Sequence, residues 1–519
     1  MSISTYKSEP LTDFSIESNR RRMEEALGAV KSQMGQHHDL LIAGKRQSGC
    51  GEIISTNPGR PEEIVGRVAK ADKENIDQAL TAAWDAFHQW KRVPGPARSR
   101  YLFKAGAIMR RRKFELSAWE VLEAGKTWPE ADADVAEAID FLEYYGRQMV
   151  RLSQPLSLTP IFGEEDRAFY QPLGVGAIIP PWNFPLAILT GMSSSAIVAG
   201  NTILLKPASP TPVIAAKFVE IMEEVGLPGG VLNFVPGDGS VIGDHIVTHP
   251  KTRFISFTGS REVGLRINKL AAEHQPGQRW IKRVVAEMGG KDAIIVDETA
   301  DLEAAALGIV QSAFGFQGQK CSACSRAVVV DNVYDRVLRL AVELTSQWKV
   351  GAPEDYSHQM GPVIDEPAFK KIVGYIEWGR ENARLAQGGG YEADPAVAGT
   401  FIQPTIFSDV KPGSKLEQEE IFGPVLAFIR ARDFEDALAI ANDTEYGLTG
   451  SLYTSRRDRI ERVVDEFEVG NLYINRKCSG AVVGAHPFGG FNMSGTDSKT
   501  GSPDYLLQFM QIKAVAERF

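Results

Sequence analysis

The chain has 519 residues, 43% of them hydrophobic and 24% charged, the make-up of a folded protein too long for one ordinary core, so two or three domains are expected. A net charge of −9 argues against nucleic acid or an anionic membrane as the main partner, and no run of about 18 apolar residues is present to span a bilayer. Four cysteines without framework spacing point to a reducing compartment, and the opening MSISTYKSEPLTDF lacks a signal-peptide apolar core, so a cytoplasmic protein is expected.

Residues 15–34 carry an amphipathic helical pattern, with Arg20, Arg21 and Arg22 on its solvated side. From Leu41 to Val68, short apolar runs alternate with turn signals such as Asn57-Pro58-Gly59, which reads as β-structure. Asp72 is placed to cap a helix running through Trp90, and further helices follow to about Tyr145. Residues 150–171 break that pattern: VRLSQPLSL and RAFYQPL flank the polar turn FGEED, which reads as a hairpin standing off the body, or else as a surface loop. From Gly174 strands and helices alternate. VGAIIP, NTILLKP, VLNFVPG and RFISFTG read as buried strands with helices such as VIAAKFVEIMEEVG between them, the signature of a parallel sheet covered by helices. A second alternating region, from Ala293 to about Asn475, contains DAIIV, AVVVD, VLAFIR and GNLYIN. Gly388, Gly389 and Gly390 read as a flexible loop.

The stretch FGFQGQKCSACSR, Phe314 to Arg326, lies between a helical pattern and the strand AVVVD. A cysteine at such a junction can lie near backbone N–H groups and a lysine, here Lys320, which favour the nucleophilic thiolate. Cys321 could equally be a small core residue, or pair with Cys324 as a redox couple or half a metal site, although no second CxxC completes one. Four other stretches carry possible ligand contacts. In Phe257-Thr258-Gly259-Ser260-Arg261-Glu262-Val263-Gly264, a strand turns into a helix and its glycines would let backbone approach a phosphate, unless they serve only the turn. Lys206 leaves a buried strand at its carboxyl end, where open α/β sheets bind ligands, or where a lysine is simply solvated. Asn183, fixed among Pro180, Pro181 and Pro185, could donate to an oxyanion or stabilise a turn. Glu287, ahead of Gly289 and Gly290, could act as a general base or be a loop carboxylate.

In their order and spacing, PWNFP, LLKP, FTGSREVG, EMGGK, GQKC, EIFGPV and PFGGF resemble the aldehyde dehydrogenase superfamily over nearly all of the chain after about residue 40. FGFQGQKCSACSR with KCSGAVVGAHPFGGFNMSG is similar to its 1-pyrroline-5-carboxylate dehydrogenase branch, which oxidises L-glutamate γ-semialdehyde to glutamate in proline and arginine breakdown. The resemblance implies an α/β fold. Its cofactor domain, Rossmann-like, would be 1–152 and 171–287, its catalytic domain 288–490, and its small β-extension for homo-oligomerisation, as a dimer or trimer of dimers, 153–170 and 491–519. In that extension the strand near QIKAVAERF would join residues near 153–170.

The resemblance also implies the roles. Cys321 is the nucleophile that forms a thiohemiacetal and then a thioester, Asn183 and the Cys321 N–H hold the oxyanion, and Glu287 activates the hydrolytic water. NAD would be the cofactor. Lys206 would meet its adenosine ribose, Gly259, Ser260 and Gly264 its pyrophosphate, and Glu420 and Phe422 its nicotinamide ribose and ring. Ser209 stands where the family usually has a ribose-binding glutamate, so NADP should be tolerated. Phe184 and Phe488 would flank the substrate's aliphatic chain, and Ser322, Gly480 and Ala481 would receive its α-carboxylate. No metal is implied, and Cys324 belongs to the branch pattern.

Overall fold

The computed structural model describes residues 4–391 and 399–519. The first helix, Glu17–Lys31, buries Met23, Leu27 and Val30 at helical spacing. Asp72 caps Lys73–Trp90 in a reciprocal box with Asn75, whose N–H donates to Asp72 at 2.9 Å while Asp72 N–H donates back at 3.1 Å. That helix buries Ile76, Ala79, Leu80, Ala83, Phe87 and Trp90. The helical series ends with Trp128–Leu152.

Two seven-stranded sheets organise the rest. In the first, Arg283–Glu287, Phe254–Thr258, Val175–Ile179, Thr202–Leu205 and Leu232–Phe234 run parallel in that spatial order, and Leu40–Ile42 and Lys45–Gln47 close the edge antiparallel. The parallel strands are nearly all buried, as their β-branched runs require when helices cover both faces. Gly176 sits opposite Phe254, where a Cβ would lie 2.0 Å from the Phe254 ring, so the strand needs a glycine there. In the second sheet the order is Arg384–Gln387, Thr405–Ser408, Val425–Ala431, Arg326–Val330, Ala293–Val296, Thr449–Tyr453 and Asn471–Ile474, parallel except for the first pair.

Three readings change. Val150 to Leu152 belong to the long helix, and in place of a local hairpin Glu164–Pro172 pairs with Met510–Arg518 over nine residues, the joining of distant segments that the resemblance implies. Residues 494–498 do not follow that ribbon: Ser494 and Thr496 hydrogen-bond along Arg283–Glu287, with Met288 N–H donating to Ser494 O at 2.8 Å and Thr496 N–H to Ala286 O at 2.9 Å. The triple glycine is a tied turn. Gly388 and Gly389 take φ of 71° and 84°, Gly389 N–H donates to Thr405 Oγ1 at 3.0 Å, and Arg380 donates to Gly389 O at 2.7 Å. No helix among the described residues is long and apolar enough to cross a membrane.

Candidate active site

Cys321 follows a short 3-10 turn, Gly315–Gly318, at the end of helix Leu302–Phe314. Phe316 and Gln317 hold φ of 48° and 57°, which costs a bulky residue about 1–3 kcal/mol and persists only where neighbours impose it. The neighbours are visible. Gln317 donates to Gly125 O at 3.1 Å and Pro362 O at 2.7 Å, and Gln319 Oε1 accepts from Ile364 N–H at 2.9 Å. The two glutamines of FGFQGQK therefore pin the loop that presents the half-buried Cys321.

Asn183 is buried and donates to Gln319 O at 2.9 Å, two residues before Cys321. An amide nitrogen carries a second N–H, so this bond orients the side chain without exhausting it. Lys320 does not serve the thiolate as expected. Its ammonium is bound to both Glu130 oxygens, at 2.7 and 2.8 Å. Burial, followed by the charges of Asp292, Glu420 and Glu287, pushes the Cys321 thiol well above its ordinary pKa. That environment favours the thiol over the thiolate, so attack must be accompanied by loss of the proton.

Glu287 ends the edge strand Arg283–Glu287. Its Oε1 accepts from Ser498 Oγ at 2.5 Å and its Oε2 from Gly490 N–H at 3.3 Å. Burial pushes its pKa up to about 7, against the hydrogen bonds from Ser498 and Gly490 and the charge of Lys499. A carboxyl that titrates near neutrality is poised for proton transfer.

Glu420 accepts from Gly290 N–H at 3.1 Å, so close that a Cβ on Gly289 would meet its carboxylate at 2.3 Å; this is the packing reason for the glycine pair in EMGGK. Phe422, at φ 59°, meets Trp182 edge-on at 5.5 Å and lines one cavity with Glu420, Lys320 and Cys324. Phe184 lies under the Lys126 ammonium at 4.6 Å and the Lys320 ammonium at 6.0 Å. Ser322 O accepts from the Cys478 thiol at 3.5 Å, which ties the nucleophile loop to the segment leading to Gly480 and Ala481. Phe488 is fixed by its N–H to Thr500 O at 2.9 Å.

Around the carboxyl ends of the first sheet, Lys206 is buried, with the Pro207 carbonyl at 3.3 Å as its hydrogen-bond partner, and burial lowers its pKa to about 8 against the charge of Asp238. Ser209 is exposed. Ser260 caps helix Arg261–Ala272, its Oγ accepting from Val263 N–H at 3.4 Å. A buried ammonium and a helix N-terminus at the carboxyl ends of two strands flanking Val175–Ile179 suit an anionic dinucleotide. Both glycines have a packing reason as well: a Cβ would lie 2.5 Å from Met288 Sδ at Gly264 and 2.6 Å from the Phe257 ring at Gly259.

Ser498, Lys126 and Glu130 escaped the sequence reading. Ser498 meets Glu287 from 211 positions away, and no local pattern marks it. Lys126, wholly buried between Glu120 and Asp134, lies in the link between two helices with no motif around it. Asp77, His245 and His249 cluster elsewhere, but His249 Nδ1 accepts from Lys251 N–H at 3.1 Å, which leaves the proton of a neutral ring on the Nε2 facing Asp77. That arrangement suits a hydrogen bond rather than a metal ligand.

A half-buried cysteine on a strained, pinned loop, an oriented amide and a carboxyl of raised pKa meet the requirements of thioester chemistry. The chain belongs to the aldehyde dehydrogenase family, whose model matches residues 45–515. Among curated relatives it is 58% identical to the 1-pyrroline-5-carboxylate dehydrogenase of Geobacillus kaustophilus over 517 residues, covering 100% of both chains. A solved 1-pyrroline-5-carboxylate dehydrogenase from Thermus with bound NAD superposes with a TM-score of 0.98 at 50% identity, again over 100% of each chain. Proline utilization A from Bdellovibrio bacteriovorus matches at 46% identity and a TM-score of 0.97, with 99% of this chain covering 53% of that one.

Proposed function

We propose that this chain is an NAD-dependent oxidoreductase that converts L-glutamate γ-semialdehyde, the open form of 1-pyrroline-5-carboxylate, into L-glutamate in proline catabolism. The observation that carries the reading is Cys321 on its pinned loop, with Glu287 held as a titratable carboxyl. Cys321 passes its proton to water and bonds to the aldehyde carbon, and the resulting oxyanion is met by Asn183 and the Cys321 N–H. NAD, when bound, supplies the acceptor for the two electrons that leave that carbon. Glu287 then takes a proton from water, the hydroxide adds to the thioester, the C–S bond breaks, and the thiol and the carboxylate product are released.

Lys206, Ser209 and the N-terminus of the helix capped by Ser260 would hold the dinucleotide, with Gly259 and Gly264 shaping that turn. Glu420 and Phe422 would border its reactive ring. Because Ser209 presents no carboxylate, NADP is used too, less well. Ser322, Gly480 and Ala481 would bind the α-carboxylate, with Phe184 and Phe488 beside the chain. Residues 1–152 and 171–287 form the cofactor domain and 288–490 the catalytic domain, and the ribbon Glu164–Pro172 with Met510–Arg518 associates subunits in a homo-oligomer.

A substrate panel tests the reading. kcat/KM for L-glutamate γ-semialdehyde should exceed that for propanal by at least about a hundredfold, because donors built for a carboxylate are left unpaired without one. Equal use of propanal or succinate semialdehyde would overturn it.

A further inference from the structure

The turn after strand Asn471–Ile474 is held from one side. Arg476 Nη2 donates to Ser479 O at 3.1 Å and to Gly480 O at 3.0 Å. Its guanidinium also lies over the Tyr473 ring at 4.4 Å, and its own carbonyl accepts from Ser451 Oγ at 2.6 Å, so both ends of the residue are fixed.

A planar trans peptide points its N–H opposite to its C=O. The Ser479 carbonyl shares a peptide with the Gly480 N–H, and the Gly480 carbonyl shares the next with the Ala481 N–H. Drawing both carbonyls toward one guanidinium therefore turns both N–H groups to the opposite side. Neither N–H has an acceptor among the described residues, whereas the next one, Val482 N–H, is taken by His486 Nδ1 at 3.1 Å. Gly480 adopts φ of 80°, the left-handed conformation that lets successive N–H groups converge into an anion-binding nest. The same segment is tied to the nucleophile loop through the Cys478 thiol on Ser322 O.

We propose that Arg476 is a specificity-positioning residue: by clamping the Ser479 and Gly480 carbonyls it pre-orients the Gly480 and Ala481 N–H groups toward the substrate's α-carboxylate, without touching the substrate itself. This rests on the reading of Gly480 and Ala481 as the carboxylate site and adds what aims that site. A lysine cannot reproduce it fully, since the planar group that rests on Tyr473 and so fixes the donating nitrogen is replaced by a point donor on a flexible stem.

The test compares Arg476→Met and Arg476→Lys with the unaltered enzyme on L-glutamate γ-semialdehyde and propanal, with thermal unfolding followed in parallel. The semialdehyde-to-propanal ratio of kcat/KM should fall by about tenfold or more in Arg476→Met, with the loss in KM for the semialdehyde, and by less in Arg476→Lys. The dissociation constant of L-glutamate should rise in the same order. A ratio that survives in Arg476→Met, whether both substrates decline together or neither does, overturns the proposal, because a merely structural arginine does not discriminate between them. If Arg476→Met is lost to unfolding, Arg476→Lys decides by the same ratio. An unaltered enzyme that fails to prefer the semialdehyde defeats the proposed substrate instead, so the two failures are told apart.

Discussion

The two seven-stranded sheets are built alike and finish differently. At the carboxyl ends of the first, Lys206 has a single carbonyl partner and Ser209 faces solvent. Beside the second, every turn of the Cys321 loop is bound: Gln317 to two carbonyls, Gln319 to Ile364, Lys320 to Glu130, and the backbone is held at positive φ. In the proposed reading the first is a rim that takes up and releases a cofactor each cycle and keeps donors uncommitted, and the second a centre for covalent chemistry, assembled in advance. Glu287 sits where the two regions meet, on an edge strand of the first sheet and held by residues from beyond the second.

The sharpest break in this contrast is Cys321→Ala. Aldehyde oxidation should fall by at least about a thousandfold while the NAD dissociation constant, measured by fluorescence titration, stays within about twofold. Substantial residual oxidation would mean that the pinned loop does not carry the nucleophile. Next is Glu287→Gln, which should lower steady-state turnover by about a hundredfold or more yet leave a rapid burst of reduced cofactor in stopped flow. Loss of the burst would place Glu287 before the thioester. The proposed base acts as a carboxylate, and a Glu287 pKa raised to about 7 keeps part of it protonated at neutrality, so deacylation should climb through pH 7 and level off above it. A rate already flat at pH 6 contradicts that assignment.

On the receptive side, Ser209→Glu should raise the KM for NADP by about tenfold and that for NAD by no more than about twofold, through repulsion of the 2′-phosphate. Parallel changes in both cofactors would show that position 209 does not read the ribose. The smallest effect is expected from Ser498→Ala. Removing one hydrogen bond that favours the Glu287 carboxylate should move the acid limb of the pH profile upward by about one unit or less. An unmoved limb would detach Ser498 from the base.

The parallel strands were legible because their β-branched runs are buried on both faces, and the Asp72 cap because its chemistry is complete within four residues. Cys321, Glu287 and Asn183 stand in short motifs whose order is itself a signal. What sequence did not disclose is pairing at long range. The local pattern around Glu164–Pro172 suggests a hairpin, and only the family resemblance points to its partner, Met510–Arg518. Lys320 looked like support for a thiolate because nothing near it announces Glu130. Nor can a motif show Met288 pressing against the helix at Gly264.

The partnership of Ser498 with Glu287 has a consequence for how the protein is made. Chains emerge from the ribosome amino end first, and domains fold as they appear. The first sheet can acquire its edge strand once Glu287 is out, but the carboxyl on that strand stays without its serine through another 211 positions of synthesis. The ribbon likewise leaves Glu164–Pro172 as an unpaired edge until Met510–Arg518 arrives, an interval in which such an edge is open to wrong partners. Contacts of this separation form late in folding. Competence therefore comes after compactness, and a nascent chain can be largely folded before it can turn over a thioester.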